Sequence, residues 1–258
     1  MRITSLAENT SADESIGYEH GLSLYIETEH HNILFDMGQT ELFSENAEKL
    51  GIDLTRADIA VLSHGHYDHG GGLKRFLSIN DKAPVYVNKY AFEPHYNGME
   101  KYIGLDISLK DNERIVFTEE LFEIGPGLTL YSCGGRSKRF ELGSFGLNMM
   151  VNGKLLPDDF RHEQYLLIEE NGRKILISGC SHMGILNIAE WFRPDALVGG
   201  FHFSKLPLDD TLKGYAEYLN SYDTDYYTCH CTGTEQFSFM KSYMKRLNYL
   251  SAGQSIII

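Results

Sequence analysis

The stretch Ser63-His64-Gly65-His66-Tyr67-Asp68-His69-Gly70-Gly71-Gly72 places three imidazoles and one carboxylate within six positions of a glycine-rich segment. It follows Ile59-Ala60-Val61-Leu62, an apolar run that predicts a short buried strand, and precedes residues 73–79, whose pattern predicts a helix. Packing gains nothing from such groups, and burying them without partners is costly. Imidazole and carboxylate are ligands of zinc, iron and manganese. The segment therefore predicts a metal site, against the alternative of a solvated His-rich loop.

Composition narrows the class of protein. The chain has 258 residues, of which 42% are hydrophobic and 23% charged, as expected for a folded globular chain rather than a disordered one. The net charge of −13 argues against a nucleic-acid partner, which requires a basic face. No apolar run approaches the ~18 residues of a membrane helix, so no membrane partner is expected. Because the six prolines are scattered and no linker is evident, we expect a single domain over residues 1–258.

The cysteines indicate the redox compartment. Cys133, Cys180, Cys229 and Cys231 are too few and too unevenly spaced for a disulfide framework. We interpret them as reduced thiols. No basic segment precedes an apolar one at the N-terminus, as a secretory signal would require. Together these features predict a cytoplasmic protein; the sequence does not indicate its oligomeric state.

Hydrophobic periodicity predicts strands alternating with helices, which is typical of an α/β architecture. Asn171-Gly172 predicts a two-residue hairpin turn. Residues 90–109, rich in aromatics, give no clear pattern; their aromatic side chains form either a lid or peripheral core. The predicted strands cover residues 21–28, 33–35, 59–62, 85–87, 128–131, 165–168, 174–177, 196–198 and 226–228, and the predicted helices cover 40–50, 73–79, 185–192, 212–219 and 237–247.

His64, His66, Asp68 and His69 match the His-x-His-x-Asp-His signature, and in this respect the chain resembles the metallo-β-lactamase superfamily. The resemblance implies a four-layer αβ/βα sandwich, in which two mixed β-sheets are flanked by helices. It also implies that His64 and His66 bind one metal ion, that Asp68 and His69 bind a second, and that water between them is the nucleophile. Zinc, one or two ions per chain, is the first choice of cofactor because His and Asp ligands suit it; manganese and iron(II) are alternatives.

Three further segments extend the resemblance. Asp36, in Ile33-Leu34-Phe35-Asp36-Met37-Gly38, is similar to an aspartate that supports the metal loop by hydrogen bonding. Cys180 stands where the superfamily has a metal-bridging Asp, and it is either a thiolate ligand or an inert thiol. His182, two residues on, is a metal ligand, or else a histidine that supports the ligands or binds substrate. His230 resembles the last metal-binding His, with a strand-capping role as the alternative.

One expected ligand has no clear counterpart. The chain lacks a His in a Pro-Gly-His-x-x-Gly setting, where most superfamily members place the third ligand of the first metal. His162 lies in the corresponding part of the chain in a different setting, and His182 is the alternative. His202, after Gly199-Gly200, contacts a substrate anion, serves as a proton shuttle, or is satisfied by a backbone carbonyl.

The combination of Ser178-Gly179-Cys180-Ser181-His182, Gly199-Gly200-Phe201-His202-Phe203 and His230-Cys231-Thr232-Gly233 is similar to the dihydropteroate-synthase-like branch of the superfamily. That branch includes 7,8-dihydropterin-6-methyl-4-(β-D-ribofuranosyl)aminobenzene-5'-phosphate synthase-like enzymes, which displace pyrophosphate with an arylamine. The resemblance implies a small phosphorylated or heterocyclic substrate and a metal-dependent hydrolase or transferase.

Residue roles follow from this resemblance. Asp68, His182 and His202 are the expected catalytic residues, and Arg136, Lys138 and Arg139 the expected phosphate-binding residues, with a solvated loop as the alternative for these three. A non-catalytic metal or ligand sensor is a further hypothesis. An oxygen-reducing iron enzyme is disfavoured, because His66 stands where such members carry an acidic residue.

Overall fold

The computed structural model describes residues 1–258. In chain order the strands are β1 Arg2–Ala7, β2 Ser23–Glu27, β3 Asn32–Phe35, β4 Ile59–Val61, β5 Val85–Asn88, β6 His95–Asn97, β7 Lys101–Tyr102, β8 Ile115–Thr118, β9 Leu121–Gly125, β10 Leu128–Tyr131, β11 Leu147–Val151, β12 Lys154–Pro157, β13 Tyr165–Glu170, β14 Arg173–Ile177, β15 Ala196–Gly199, β16 Asp225–Thr228, β17 Leu247–Tyr249 and β18 Ser255–Ile257. The helices are α1 Leu42–Lys49, α2 Tyr67–Gly70, α3 Leu73–Ile79, α4 Ile185–Phe192, α5 Asp210–Asn220 and α6 Thr234–Lys241, with 3₁₀ turns at Leu54–Arg56, Ile107–Leu109 and His230–Thr232.

Two mixed seven-stranded sheets form the centre of the fold. The first has the order β18-β1-β2-β3-β4-β5-β8 and the second the order β17-β16-β15-β14-β13-β10-β9. Strands β3, β4, β5 and β8 are parallel in the first sheet, and β14 to β17 are parallel in the second. A small third sheet, β12-β11-β6-β7, comes from the middle of the chain, where the sequence pattern is unclear.

The alternation of side chains along each strand builds three apolar layers. In β3, Ile33 and Phe35 belong to the core between the two large sheets, whereas Leu34 packs under the helices of the first sheet. In β14, Ile175 and Ile177 face that same central core, and the intervening Leu176 packs under the helices of the second sheet. This period of two requires a covering layer on both faces of each sheet. The result is the predicted four-layer αβ/βα sandwich, so the expected fold class is confirmed.

Most predicted elements lie where expected, and one was wrong in extent. The Asn171-Gly172 turn has positive φ at both positions, 53° and 74°, as a tight hairpin between β13 and β14 requires. The helix expected over residues 237–247 begins earlier and ends at Lys241. Leu247 instead pairs with Tyr226 as part of β17, because the open edge of β16 accepts another parallel strand there. No helix is both long and apolar enough to cross a bilayer.

Candidate metal centre

The metal loop begins where β4 ends, and its glycines allow close packing. A Cβ on Gly65 would collide with the carbonyl oxygen of Ala91, so only glycine lets the backbone pass between His64 and His66. Asp68 and His69 lie in the short helix α2. The carboxyl ends of β14, β15 and β16 deliver Cys180, His182, His202 and His230 to the same edge of the sandwich. Ligands in open α/β sheets bind at such carboxyl ends.

The first donor set consists of His64, His66 and His182. One ligand atom from each lies within 4.8 Å of the others, and all three residues are buried. The Nε2 atoms of His64 and His66, and both ring nitrogens of His182, are buried without a hydrogen-bond partner. Burial lowers the pKa of all three imidazoles well below the usual value, so each ring is neutral and has a lone pair.

The second donor set surrounds His69. Its Nε2 lies 3.2 Å from Cys180 Sγ and 3.2 Å from His230 Nε2. Asp68 Oδ2 lies 3.4 Å from His230 Nε2 and 3.9 Å from His69 Nε2. Burial raises the pKa of Asp68, but His69 and the hydrogen bonds from His20 and His230 outweigh burial and hold it well below its usual value. The carboxylate is therefore ionised and available as a ligand.

A chain of hydrogen bonds orients both sets. Asp36 Oδ2 lies 2.6 Å from His69 Nδ1, which leaves His69 Nε2 free to face Cys180. Asp36 also accepts hydrogen bonds from the backbone N–H and the hydroxyl of Ser63, both at 2.7 Å. The Ser63 hydroxyl oxygen lies 2.8 Å from His64 Nδ1, which leaves His64 Nε2 free. The structure thus places Asp36 within hydrogen-bond distance of His69 and of Ser63, the residue before His64.

Two residues near the N-terminus, which no sequence motif marks, hold His230. Glu8 Oε1 accepts the His230 backbone N–H at 2.6 Å, and Asn9 Oδ1 lies 2.7 Å from His230 Nδ1. His20 is likewise unmarked, and its Nε2 lies 3.2 Å from Asp68 Oδ2. No spacing in the sequence links these residues to His230, more than 200 positions away. The only local signal for His20 is its position beside Gly21, just before a strand, and this pattern alone does not indicate a functional residue.

Glu163 supports the segment that carries His182. It is fully buried and accepts the backbone N–H groups of His182 at 2.7 Å and Met183 at 3.0 Å, as well as the Tyr165 hydroxyl. The Phe160 ring stacks on the His182 ring, 4.4 Å away and nearly parallel. The His182 side chain is thereby fixed although neither ring nitrogen is hydrogen-bonded.

Four residues of this centre have a strained backbone conformation. Asp36, Ser181, His202 and His230 have positive φ values of 58°, 61°, 57° and 48°, a conformation that costs about 1–3 kcal/mol at a non-glycine residue. Each follows the carboxyl end of a strand. The fold maintains these conformations because they turn the side chains of the site toward one another.

The donor chemistry fits divalent transition-metal ions. Buried imidazole nitrogens without partners are rare and costly, and here they converge from several elements with a thiol and a carboxylate. Burial and the neighbouring Cys231 raise the pKa of the Cys180 thiol, so a cation is needed to convert it to a thiolate ligand. His64, His66 and His182 would hold one ion, and Asp68, His69, Cys180 and His230 a second.

His202 lies beside the first set. Its ring centroid is 4.4 Å from that of His182, its Nδ1 is buried without a partner, and one of its nitrogens lies within 4.8 Å of Cys180 and Cys231. Nδ1 of His202 therefore has no backbone carbonyl as a hydrogen-bond partner. His162 lies beside His66, with ring centroids 5.1 Å apart, but it does not belong to the His64–His66–His182 set. Its Nδ1 accepts the Gly65 N–H at 2.9 Å.

A cleft of about 320 Å³ opens onto the centre. His66, Asp68, Cys180, His182, His202 and His230 all line it, together with Lys101 of the third sheet and Lys205. These two lysines, which the sequence analysis did not single out, are the cations of the cleft. Lys101 lies over the ring of Tyr67, and both lysines are exposed.

The structure brings none of the three expected phosphate-binding residues into this cleft. Arg136 lies over the rings of Phe192 and Trp191, on the outer face of the second sheet. Arg139 pairs with Glu190 at 3.4 Å. Lys138 alone borders His182, in a neighbouring groove. After Cys133 the chain turns, and the side chains of Arg136 and Arg139 contact aromatic and acidic residues of α4 instead of the cleft.

The fold and this cluster of donors define an αβ/βα protein with a candidate metal centre. The model of the metallo-β-lactamase superfamily matches residues 16–218. The chain therefore belongs to the metallo-β-lactamase superfamily, which confirms the resemblance seen in the sequence.

Particular relatives cover nearly the whole chain. An uncharacterized protein of Methanocaldococcus jannaschii is 32% identical over 242 residues, covering 90% of each chain. From the same organism, 7,8-dihydropterin-6-methyl-4-(β-D-ribofuranosyl)-aminobenzene-5'-phosphate synthase is 29% identical over 286 residues, covering 99% of this chain and 96% of the synthase. Among solved structures, Tm1679, a metal-dependent hydrolase of the β-lactamase superfamily, aligns with a TM-score of 0.85 and 32% identity over 100% of this chain and 99% of its own.

Proposed function

We propose that the protein is a metal-dependent hydrolase, with two zinc ions, that acts on a small phosphorylated or heterocyclic molecule. One observation carries the proposal: the unpartnered, buried Nε2 atoms of His64 and His66 converge with His182. Next to them lie the groups around His69, namely Asp68, Cys180 and His230. Manganese or iron(II) are the alternative metals, since the same donors bind them.

The bound ions would supply Lewis-acid polarisation of a phosphoryl or carbonyl oxygen and activation of water. The other functions belong to the chain's own residues. Asp68, fixed by His20 and His230, holds its carboxylate at the cleft floor. His202, with an unpartnered Nδ1 beside His182, can hold a proton and donate it to a leaving group.

The charges of the cleft support an anionic substrate. The protein carries a net charge of −13, yet two lysines, Lys101 and Lys205, line this cleft. Ammonium groups bind phosphate oxygens as point charges. We assign the phosphate-binding role, expected from the sequence for Arg136, Lys138 and Arg139, chiefly to Lys101 and Lys205. Lys138, which borders the groove at His182, remains a candidate contact for a longer substrate, whereas Arg136 and Arg139 would need the loop to move.

A second function is favoured by one relative. The synthase from M. jannaschii aligns over 99% of this chain. A transferase of this kind would use the same cleft to displace pyrophosphate with an arylamine, His202 receiving the proton that the amine loses. A non-catalytic sensor would keep the metal ligands without turnover.

The test is a substrate panel with metal analysis. Protein prepared without metal is reconstituted with Zn²⁺ or Mn²⁺ and assayed on phosphodiesters, on pyrophosphate esters, and on a dihydropterin pyrophosphate with and without an arylamine phosphate. We expect turnover that depends on the metal. His66→Ala and Asp68→Ala should lower it by at least about 100-fold, since each removes a ligand.

The matched control is His31→Ala, which removes a surface imidazole paired with Asp58 and leaves the centre intact. Product formation only when the arylamine is present would favour the transferase. The proposal would be overturned if the protein took up no metal on reconstitution and behaved like the metal-free protein in every assay. Metal binding without turnover of any substrate would instead support the non-catalytic sensor.

A further inference from the structure

Two of the four cysteines meet in the wall of the cleft. Cys180 lies between β14 and α4, and Cys231 lies in the 3₁₀ turn that follows β16. Their Sγ atoms lie within 4.8 Å of each other, and both residues line the cleft, with 2% and 5% of their surfaces exposed. Cys133 and Cys229 are completely buried and do not line it. A small molecule that enters the cleft therefore reaches a pair of neighbouring thiols.

The backbone around the two cysteines holds their sulfur atoms close together. Cys231 Sγ lies 3.5 Å from the carbonyl oxygen of Cys180. The Gly200 N–H donates to the Gly179 carbonyl at 2.8 Å, which joins the segments after β14 and β15. A Cβ on Gly200 would lie 2.4 Å from Cys231 Sγ, so glycine leaves the space that this sulfur occupies. Because a disulfide bond is about 2.05 Å long, the two sulfurs must approach by at most about 2.8 Å, which rotation of the two side chains can supply.

We propose that Cys180 and Cys231 form a reversible disulfide when a peroxide enters the cleft. The Cys231 sulfur, the more exposed of the two, attacks one oxygen of hydrogen peroxide, so that an S–O bond forms, the O–O bond breaks and water leaves. The Cys180 sulfur then attacks the sulfenic acid, so that the S–S bond forms and a second water leaves. Two thiols and one peroxide thus give one disulfide and two waters, and a dithiol reductant reverses the change by exchange.

The disulfide would compete with a metal ion for Cys180. Cys180 Sγ lies 3.2 Å from His69 Nε2, in the donor group that would hold the second ion. A sulfur in a disulfide offers no thiolate, so oxidation weakens that group, and by reciprocity a bound ion protects Cys180 from oxidation. The His64–His66–His182 set contains no sulfur and is unaffected. This consequence rests on the function proposed above, whereas formation of the disulfide does not.

Thiol counting on the metal-free protein tests the disulfide. The protein is treated with a small excess of hydrogen peroxide and unfolded, and its free thiols are titrated with an aromatic disulfide reagent. We expect four thiols before treatment and two fewer after it, all restored by dithiothreitol, together with a Cys180–Cys231 cross-linked peptide in mass spectrometry. An unchanged thiol count, a loss that dithiothreitol does not reverse, or a bond between other cysteines would overturn the proposal.

Single substitutions identify the partners. Cys180→Ser and Cys231→Ser should keep all their remaining thiols after the same treatment. The matched control is Cys133→Ala, which removes a buried thiol outside the cleft and should still lose two thiols. Loss of two thiols from Cys180→Ser or Cys231→Ser would contradict the assigned pair. If a variant fails to fold, as judged by circular dichroism, the wild-type peptide map decides alone.

Zinc binding separates this proposal from the proposed function. In equilibrium dialysis we expect the oxidised protein to bind one equivalent of Zn²⁺ fewer than the reduced protein. We also expect the reduced protein saturated with Zn²⁺ to form the disulfide more slowly than the metal-free protein. Equal zinc content in both forms would overturn the competition for Cys180. A disulfide in a protein that binds no zinc when reduced would overturn the proposed function and leave the disulfide, and zinc binding without a disulfide would do the reverse.

Discussion

Asp36 Oδ2 and His69 Nδ1 lie 2.6 Å apart, and both side chains are completely buried. The carboxylate fixes which nitrogen of His69 carries the proton and thereby which one faces Cys180 and His230. Burial lowers the pKa of His69, but Asp36 and Asp68 outweigh it, so the net pKa is raised. Without a cation the ring is thus more basic than usual, and metal binding competes with protonation.

Asp36→Asn should therefore weaken metal binding without removing a ligand. Carboxylate partners of metal-bound histidines typically contribute about 10–100-fold in metal affinity. We expect a loss in this range, measured by competition with a chromophoric chelator. Asp58→Asn, which alters the exposed partner of His31, should bind metal like the wild type. Unchanged affinity in Asp36→Asn would contradict the supporting role of Asp36.

Gly65→Ala tests the close approach of the metal loop to Ala91. The added methyl group would collide with a backbone oxygen that cannot move away, so the loop must shift. We expect a lower free energy of unfolding in urea, by about 1–3 kcal/mol, and weaker metal binding.

The control for this substitution is Gly214→Ala in α5, where nothing lies within 4 Å of the added methyl group. There alanine should stabilise the protein by about 0.5–1 kcal/mol, because it limits the freedom of the unfolded chain and favours the helix. Equal effects of the two substitutions would show that the packing at Gly65 is not restrictive.

Glu163→Gln tests the support of His182. Glutamine retains one acceptor oxygen and turns an NH₂ group toward buried N–H donors, so at least one of the N–H groups of His182 and Met183 loses its partner. We expect a destabilisation of about 1–3 kcal/mol in urea unfolding. Tyr165→Phe, which removes only the hydroxyl that donates to Glu163, should have a smaller effect. The reverse order would mean that Tyr165, not the backbone, is the principal partner of Glu163.

Lys101→Gln and Lys205→Gln test the anion site. Each removes one cation from the cleft, and a charge-assisted hydrogen bond contributes about 1.5–3 kcal/mol. Because both lysines are exposed, we expect only part of this, about a 3–10-fold rise in the inhibition constant of inorganic phosphate. The control is Lys154→Gln, an exposed lysine of β12 in the same small sheet that does not line the cleft. If phosphate inhibited the Lys101, Lys205 and Lys154 variants equally, the anion would not bind beside Lys101 and Lys205.

The local pattern predicted much of the scaffold. Alternation such as Ile33-Leu34-Phe35 identifies a strand covered on both faces, because each side of a pleated strand requires its own apolar layer. The third sheet could not be predicted. Its strands are two to five residues long, and β6 pairs with β11, some 50 positions away, so no local periodicity marks it.

The sequence alone determined the donor types and the positions where strands end: His64, His66, Asp68 and His69 lie in one short segment, and their chemistry needs no tertiary information to be recognised. Which distant groups complete the centre depends on how the layers of the fold pack together. Glu8 and Asn9 reach His230, Lys101 rather than Arg136 reaches the cleft, and His162 turns to Gly65 and Asp158. The physical reason is that spacing along a chain governs contacts within a strand, a turn or a helix, whereas contacts between layers depend on sheet order and register, which the packing of the whole chain sets.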